Sequence, residues 1–478
     1  MTMKKTLLLL LAAAAPLFSH VGSPDVFFEG AAGPYRLLVT IRPPQVIPGV
    51  AEIEIRSAGS GAETVRIAPL RMSADKQYSP VPDVAVRSKD DPQFFTGSLW
   101  LMATGSWKVL VHVDGKLGKG ELAVPVPALS TRVMGMQTGL AMALIPLALV
   151  LVFGLAGIVA ASVREAQLAP GDKPTPQRVR RSRVLMAVTL AGFAIVLYLG
   201  NTWWTAEAGD YSRIVYKPLT FAPSFKDGVL ELKFQDPGWL NRRVDDLLPD
   251  HGHLMHLYIF NLPRMDRAWH LHPERGDEPD TFVQTLPSMP AGNYALYGDI
   301  VHASGLAETV TGKIYLSEVA GAKLTGDDAA SGPPVSPAGG YKPDVAELAG
   351  GYRMLWEHSA PKIQAHKPYE FRFRLVDPKG ADAKDVELYM GMLGHAAFVK
   401  DDGTVFAHVH PSGSVPAAVM GLAMPENPHA MHMMPSAALP AQVSFPYGLP
   451  KPGIYRIFVQ MKCGGEIVTG LFNANVEN

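Results

Sequence analysis

Short alternating runs dominate the chain. Arg36–Ile41, Ala51–Ile55 and Trp107–Val113 place apolar residues at every second position, with Pro/Gly turns between them. A period of two is the mark of half-buried strands. Over 20–132 it predicts an N-terminal immunoglobulin-like β-sandwich. Two stretches break the pattern. Residues 134–161 and 184–204 are continuously apolar and uncharged, each long enough for about 30 Å of hydrocarbon. They predict two transmembrane helices.

Between the spans, the loop 162–183 carries Arg164, Lys173, Arg178, Arg180, Arg181 and Arg183, so it is expected on the cytoplasmic side. Trp203 and Trp204 stand where an interfacial aromatic belt belongs. Residues 1–19, with Lys4 and Lys5 ahead of an apolar run, read as a signal peptide. The expected localisation is the cell (inner) membrane, with 20–132 and 205–478 on its periplasmic, extracytoplasmic side.

After the second span the chain repeats itself. Asp236-Pro237-Gly238 corresponds to Asp377-Pro378-Lys379-Gly380, and His256-Leu257-Tyr258-Ile259 to His395-Ala396-Ala397-Phe398. His270-Leu271-His272-Pro273 corresponds to His408-Val409-His410-Pro411, and the turn before Tyr294 to the turn before Tyr455. The Thr311-Gly312 and Thr469-Gly470 pairs close the two copies. This order predicts a β-sandwich repeat 1 over 205–320 and a repeat 2 over 346–478, joined by a Gly/Pro/Ala/Ser-rich linker, 321–345. The expected fold is thus mainly β: three immunoglobulin-like or cupredoxin-like sandwiches outside the membrane and a two-helix transmembrane hairpin.

Net charge is -1, which argues against a nucleic-acid partner. A single cysteine, Cys463, rules out an internal disulfide framework. No phosphate loop, nucleophile elbow or His-Glu-x-x-His motif is present, so no catalytic residue is assigned. The 15 histidines and 20 methionines carry the chemistry, because thirteen of those histidines follow the second span.

Alternate residues of a strand share one face, so His270/His272 and His408/His410 each present two imidazoles side by side. The hairpin turn Asp401-Asp402-Gly403 returns His395 towards His408, and the same logic brings His256 to His270. Equal spacing from Tyr294 and Tyr455 adds His302 and Cys463. Superposing His256 on His395 aligns His251 and His253 with Met390 and Met392. Repeat 2 also holds an insertion, 420–434, rich in Met and His, including Met431 and His432. A flexible arm collecting Cu(I) is expected there, because thioethers select that ion. His20, as a mature N-terminus beside His112, is a further copper chelate to consider. The expected metal is copper, with zinc as second choice, since imidazole suits both.

Short sandwich copies with His, His-x-His-Pro and a terminal Tyr-containing strand resemble the YtkA-like and FixH-like extracytoplasmic domains. That resemblance implies immunoglobulin-like modules linked with copper handling or oxidase assembly. The layout of outer β-domain, two spans and outer β-domain also resembles the copper subunit of particulate methane monooxygenase. The expected function is a membrane-anchored extracytoplasmic copper-binding protein for copper handling, delivery or homeostasis. A copper donor protein or a copper-requiring oxidase would be its partner. Two alternatives stand beside it: a metalloenzyme with an open copper or zinc site in one repeat, and an interaction scaffold without metal. The expected metals would pass between a histidine site in repeat 1 and a softer, sulfur-bearing site in repeat 2.

Overall fold

The computed structural model describes residues 23–133, 137–332, 344–358, 360, 362–425 and 438–478. The signal-peptide reading of 1–19, His20, and the candidate ligands Met431 and His432 lie outside these residues.

The chain divides into two units, one helical (131–215) and one built of β-structure (1–130 with 216–478). The helical unit is a hairpin of α1 (Thr138–Glu165) and α2 (Pro176–Ile214). Both are long and apolar enough to cross a membrane, with mean hydropathy 2.7 and 2.0 over their apolar windows. Their apolar side chains face outward; Leu151, Leu197 and Tyr198 are all more than half exposed. Such a surface suits lipid and not water, so the hairpin forms a membrane anchor. The helices meet where the small residues Ala156 and Ala160 are buried, and the Ser182 hydroxyl donates to the Ala160 carbonyl at 2.8 Å. Small residues let helix backbones approach.

Helix α2 departs from the expected span at both ends. Thr175 caps its N-terminus with Pro176 next to it, a pairing that starts a helix efficiently. The basic residues Arg178–Arg183 are therefore helical, and the loop shrinks to 166–175. At the other end the helix continues past Trp204 through the polar segment to Ile214.

The β-unit holds three sandwiches. In the first, a five-stranded sheet faces a four-stranded one over a core that includes Leu37, Val39, Ile53, Val109 and Val124. Repeat 1 is a ten-stranded sheet. Leu230 and Leu232, far along that sheet from Leu257 and Ile259, share their core, so the sheet folds over on itself. Repeat 2 has a four-stranded sheet facing a six-stranded one, packed around Phe371, Phe398, Phe445 and Phe472.

Six strands position the histidines. Repeat 1 contributes β1 (His256–Asn261), β2 (Ala268–Leu271) and β3 (Gly292–His302). Repeat 2 contributes β4 (His395–Lys400), β5 (Phe406–Val409) and β6 (Gly453–Cys463). In both copies the central strand is paired antiparallel on each side. Tyr258 stands opposite His270 and Ala397 opposite His408. His256 stands opposite Asp299 and His395 opposite Gln460.

These two faces pack on each other. Tyr258, Phe260 and Tyr297 of repeat 1 share one buried cluster with Phe406 and Phe458 of repeat 2. The Tyr297 and Phe406 rings stack with centroids 4.7 Å apart. Burying several aromatic rings in one contact makes it strong, so the repeats meet through an apolar core that runs up to the histidines.

The expected linker, 321–345, includes a short strand at Ala329–Ala330 that pairs with β2. Its carboxylates Asp327 and Asp328 reach the histidines. The insertion in repeat 2 begins as α3 (Ala417–Ala423). Val419 and Met420 of that helix are buried in the core of the N-terminal sandwich, and Met424 packs against it. Met420 and Met424 are therefore packing residues, which corrects their expected place in a copper-collecting arm.

Candidate metal centre

Eight histidines converge where repeats 1 and 2 meet. His256, His270 and His272 form one group whose ring nitrogens lie within 4.8 Å of one another; His395, His408 and His410 form another. His253 stacks on His272 with centroids 3.9 Å apart. His251 lies 5.2 Å from His395 and 5.0 Å from His410. The two groups touch: the His256 and His408 rings are 5.2 Å apart.

Hydrogen-bond partners assign the tautomers. His256 Nε2 lies 3.0 Å from the Asp250 carbonyl oxygen. A carbonyl only accepts, so Nε2 carries the proton and Nδ1 keeps a bare lone pair. His270 Nδ1 donates to the Gln460 side-chain oxygen at 2.9 Å, leaving Nε2 bare. His272 Nδ1 donates to Asp328 at 2.9 Å, leaving Nε2 bare, buried and without a hydrogen-bond partner among the described residues.

Repeat 2 shares this layout in part. His395 Nε2 donates to the Tyr389 carbonyl at 3.2 Å, and His408 Nδ1 faces Asp299 at 3.5 Å. His410 is buried with no hydrogen-bond partner on either ring nitrogen among the described residues.

The consequence is chemical. His256 Nδ1 and His270 Nε2 are 3.1 Å apart, and His395 Nδ1 and His408 Nε2 are also 3.1 Å apart. In neutral rings with these tautomers, the His256–His270 contact sets lone pair against lone pair, with no proton to bridge it; the His395–His408 contact repeats the geometry. An ion with nitrogen ligands at about 2.0–2.1 Å in tetrahedral geometry brings its ligands to about 3.3 Å of one another. A cation fits both contacts.

Burial keeps the rings neutral. It pushes His256, His272 and His410 down to about 3, helped by neighbouring imidazoles, and drives His270, His395 and His408 well below the ordinary histidine value. Neutral imidazole is the form that binds metal. The outer nitrogens rest on carbonyls, carboxylates and an amide, the usual supports of ligating histidines. Asp299 is one of these, and burial pushes its carboxyl up to about 7, only partly offset by the Thr309 hydroxyl.

Two bracing contacts hold His410. Its backbone N–H donates to Gly413 at 2.8 Å, and the loop that follows is tied to the first strand of the N-terminal sandwich, with Glu29 N–H donating to Ser412 at 2.7 Å. Gly413 has φ of 118°, and a Cβ there would meet the Phe27 carbonyl oxygen at 2.0 Å, so only glycine fits.

The remaining sequence candidates fall elsewhere. His302 has both nitrogens engaged, Nδ1 with Asp246 at 3.0 Å and Nε2 with Glu308 at 2.8 Å. Glu308 also receives the Tyr216 hydroxyl and Arg242. His302 thus belongs to a buried ion network and offers no lone pair. Cys463 sits in the hydrophobic core of repeat 2, its thiol pushed up to about 11, first by burial and then by Asp385 and Glu387. It is outside both groups, and a thiolate site on it is corrected accordingly. Met390 and Met392 occupy the turn equivalent to His251-Gly252-His253; the bridges Asp250–His253 and Tyr389–Met392 mark the match. His112 lies 3.7 Å from Glu121 on the N-terminal sandwich.

Sequence reasoning aligned His251 and His253 with Met390 and Met392 and read repeat 1 as richer in nitrogen from them, but did not include them among the candidate ligands. The supports Asp299, Gln460, Asp327 and Asp328 had no local signal.

Comparison with known proteins adds a domain match. Residues 346–478 match a family described as Domain of unknown function (DUF8832). No curated protein matches the chain. Among solved structures, a tetra-tandem repeat from the extending region of a large adhesion protein is 9% identical, covering 91% of this chain and 71% of that one at TM-score 0.18. An ICAM-5 D1-D4 ectodomain fragment is 10% identical over 92% and 75%, TM-score 0.15. A putative membrane anchored protein from Corynebacterium diphtheriae is 9% identical over 95% and 96%, TM-score 0.16. Scores this low carry no argument about function.

Proposed function

We propose that this chain is a membrane-anchored copper-binding protein whose β-unit faces the extracytoplasmic side and whose two repeats hold copper where they meet. The observation that carries the reading is the 3.1 Å contact between the bare nitrogens of His256 and His270, repeated in geometry by His395 and His408. Neutral imidazole suits Cu(II) and zinc. The methionines at 390 and 392, on the turn preceding His395, tilt the choice towards copper, because thioether is a ligand for Cu(I) and a poor one for zinc.

Sidedness is supported by the signal-like start, the two spans and the basic residues between them. A role in copper handling, with a copper donor or a copper-requiring oxidase as partner, agrees with the resemblance to YtkA-like and FixH-like domains. One observation favours a second reading as a metalloenzyme. Two three-nitrogen groups in contact are a suitable frame for paired ions with open positions.

The test is metal loading of the purified full-length chain in detergent. Copper, offered as Cu(I) and Cu(II), is expected to bind at two equivalents. Joint replacement of His270 and His272 removes one, and joint replacement of His408 and His410 removes the other. Retention of zinc and rejection of copper would overturn the metal assignment.

A further inference from the structure

We infer that repeat 1 supplies two ligands, Asp250 and His251, to an ion bound at His410 of repeat 2, so that this site is built across the interface. The inference rests on the metal-binding reading above.

The turn Asp250–His253 sends its two imidazoles in opposite directions. His253 goes to the repeat 1 group, stacked on His272. His251 goes to the other repeat: its ring is 5.0 Å from His410 and 5.2 Å from His395, but 6.1 Å from His256 in its own repeat. An Asp250 oxygen, a His251 nitrogen and a His410 nitrogen lie within 4.8 Å of one another. The turn holds its backbone in the left-handed region, as the equivalent turn of repeat 2 does at Met390, φ 50°. His251 itself has φ of 51°, where non-glycine residues are uncommon.

Asp250 supplies a second, independent reason. The residue is 6% exposed, and its side chain accepts the Ala418 N–H of repeat 2 at 2.7 Å. Among the described residues no lysine or arginine comes within 4.0 Å of it; the one cationic partner type in range is His251, at 3.9 Å. A buried carboxylate needs a compensating cation. A metal ion bound by His410, His251 and Asp250 supplies that charge. The repeat 2 site is then a mixed nitrogen and oxygen set, and repeat 1 keeps a histidine set. A metal ion there also ties the two repeats together.

The experiment loads full-length protein in detergent with Cu(II), as wild type, His251→Gly and Asp250→Asn. Glycine accepts the φ at position 251 without strain, so His251→Gly keeps the fold; the melting of the metal-free protein checks this. Copper per chain is expected to fall from two to one in His251→Gly, and free imidazole is expected to restore the second ion. In Asp250→Asn the paramagnetic resonance spectrum of the repeat 2 ion is expected to shift. If His251→Gly keeps both ions with an unchanged spectrum, or loses one that imidazole does not restore, the inference fails while the metal-binding reading stands. Wild-type protein that takes up no copper overturns both.

Discussion

His270 Nδ1 lies 2.9 Å from the side-chain oxygen of Gln460, a residue of the other repeat 190 positions further along the chain. The reverse contact links His408 of repeat 2 to Asp299 of repeat 1. Asp299 and Gln460 occupy matching positions, opposite His256 and His395 in the two ladders. Each repeat thus orients one of the other's imidazoles. Neither group of histidines is complete without both repeats.

Removing one of these supports weakens metal binding without removing a ligand. Gln460→Leu frees the His270 tautomer, and copper affinity at the repeat 1 site is expected to drop about 10- to 100-fold. Competition with a chelator measures it. An affinity within twofold of wild type would show that the Gln460 contact does not position His270.

Acid acts on the metal-free protein through the same rings. Their folded values are depressed, to about 3 for His256, His272 and His410, whereas the unfolded chain takes up protons near about 6.5. The unfolded state therefore binds more protons below that pH. Stability is fully present above about pH 6.5 and falls as pH drops towards about 3, by about 1.4 kcal/mol per pH unit for each ring that stays neutral. Urea midpoints at pH 7.5 and 5.5 read this directly, and equal midpoints contradict it.

Met420 tests the division between packing and chemistry. It is 5% exposed in the N-terminal core, so Met420→Ala is expected to cost about 2–5 kcal/mol and to leave copper stoichiometry unchanged. Loss of copper without loss of stability would return this residue to the metal site.

The topology has a clean reporter. Cys463 is buried, with its thiol pushed up to about 11, so it reacts slowly with maleimides. Asp172→Cys, between the helices, is expected to be protected from an impermeant maleimide on intact spheroplasts, while Glu278→Cys in repeat 1 is labelled. The opposite pattern inverts the membrane orientation.

Local signals in the sequence carried a large share of this arrangement. Alternation and Pro/Gly turns mark the sandwiches, and uncharged apolar runs mark α1 and α2, because strand and helix periods are properties of neighbouring residues. The His-x-His pairs were legible for the same reason. What was not legible depends on contacts between distant segments. Equal spacing made His302 and Cys463 look like ligands, but Glu308 and Asp246 occupy the nitrogens of His302, and the repeat 2 core encloses Cys463. Nor does any local pattern reveal that two similar faces pack on each other, which brings the two groups of histidines into contact. The expected handover from a histidine site to a sulfur site gives way to adjacent groups that are both rich in nitrogen.

X-ray absorption of the copper-loaded full-length chain tests the central claim most directly. The account predicts a first shell of nitrogen and oxygen at about 2.0 Å with the outer-shell scattering of several imidazoles, lost when His256, His270, His395 and His408 are replaced together. A shell dominated by sulfur at about 2.3 Å, or a chain that retains no copper, would contradict it.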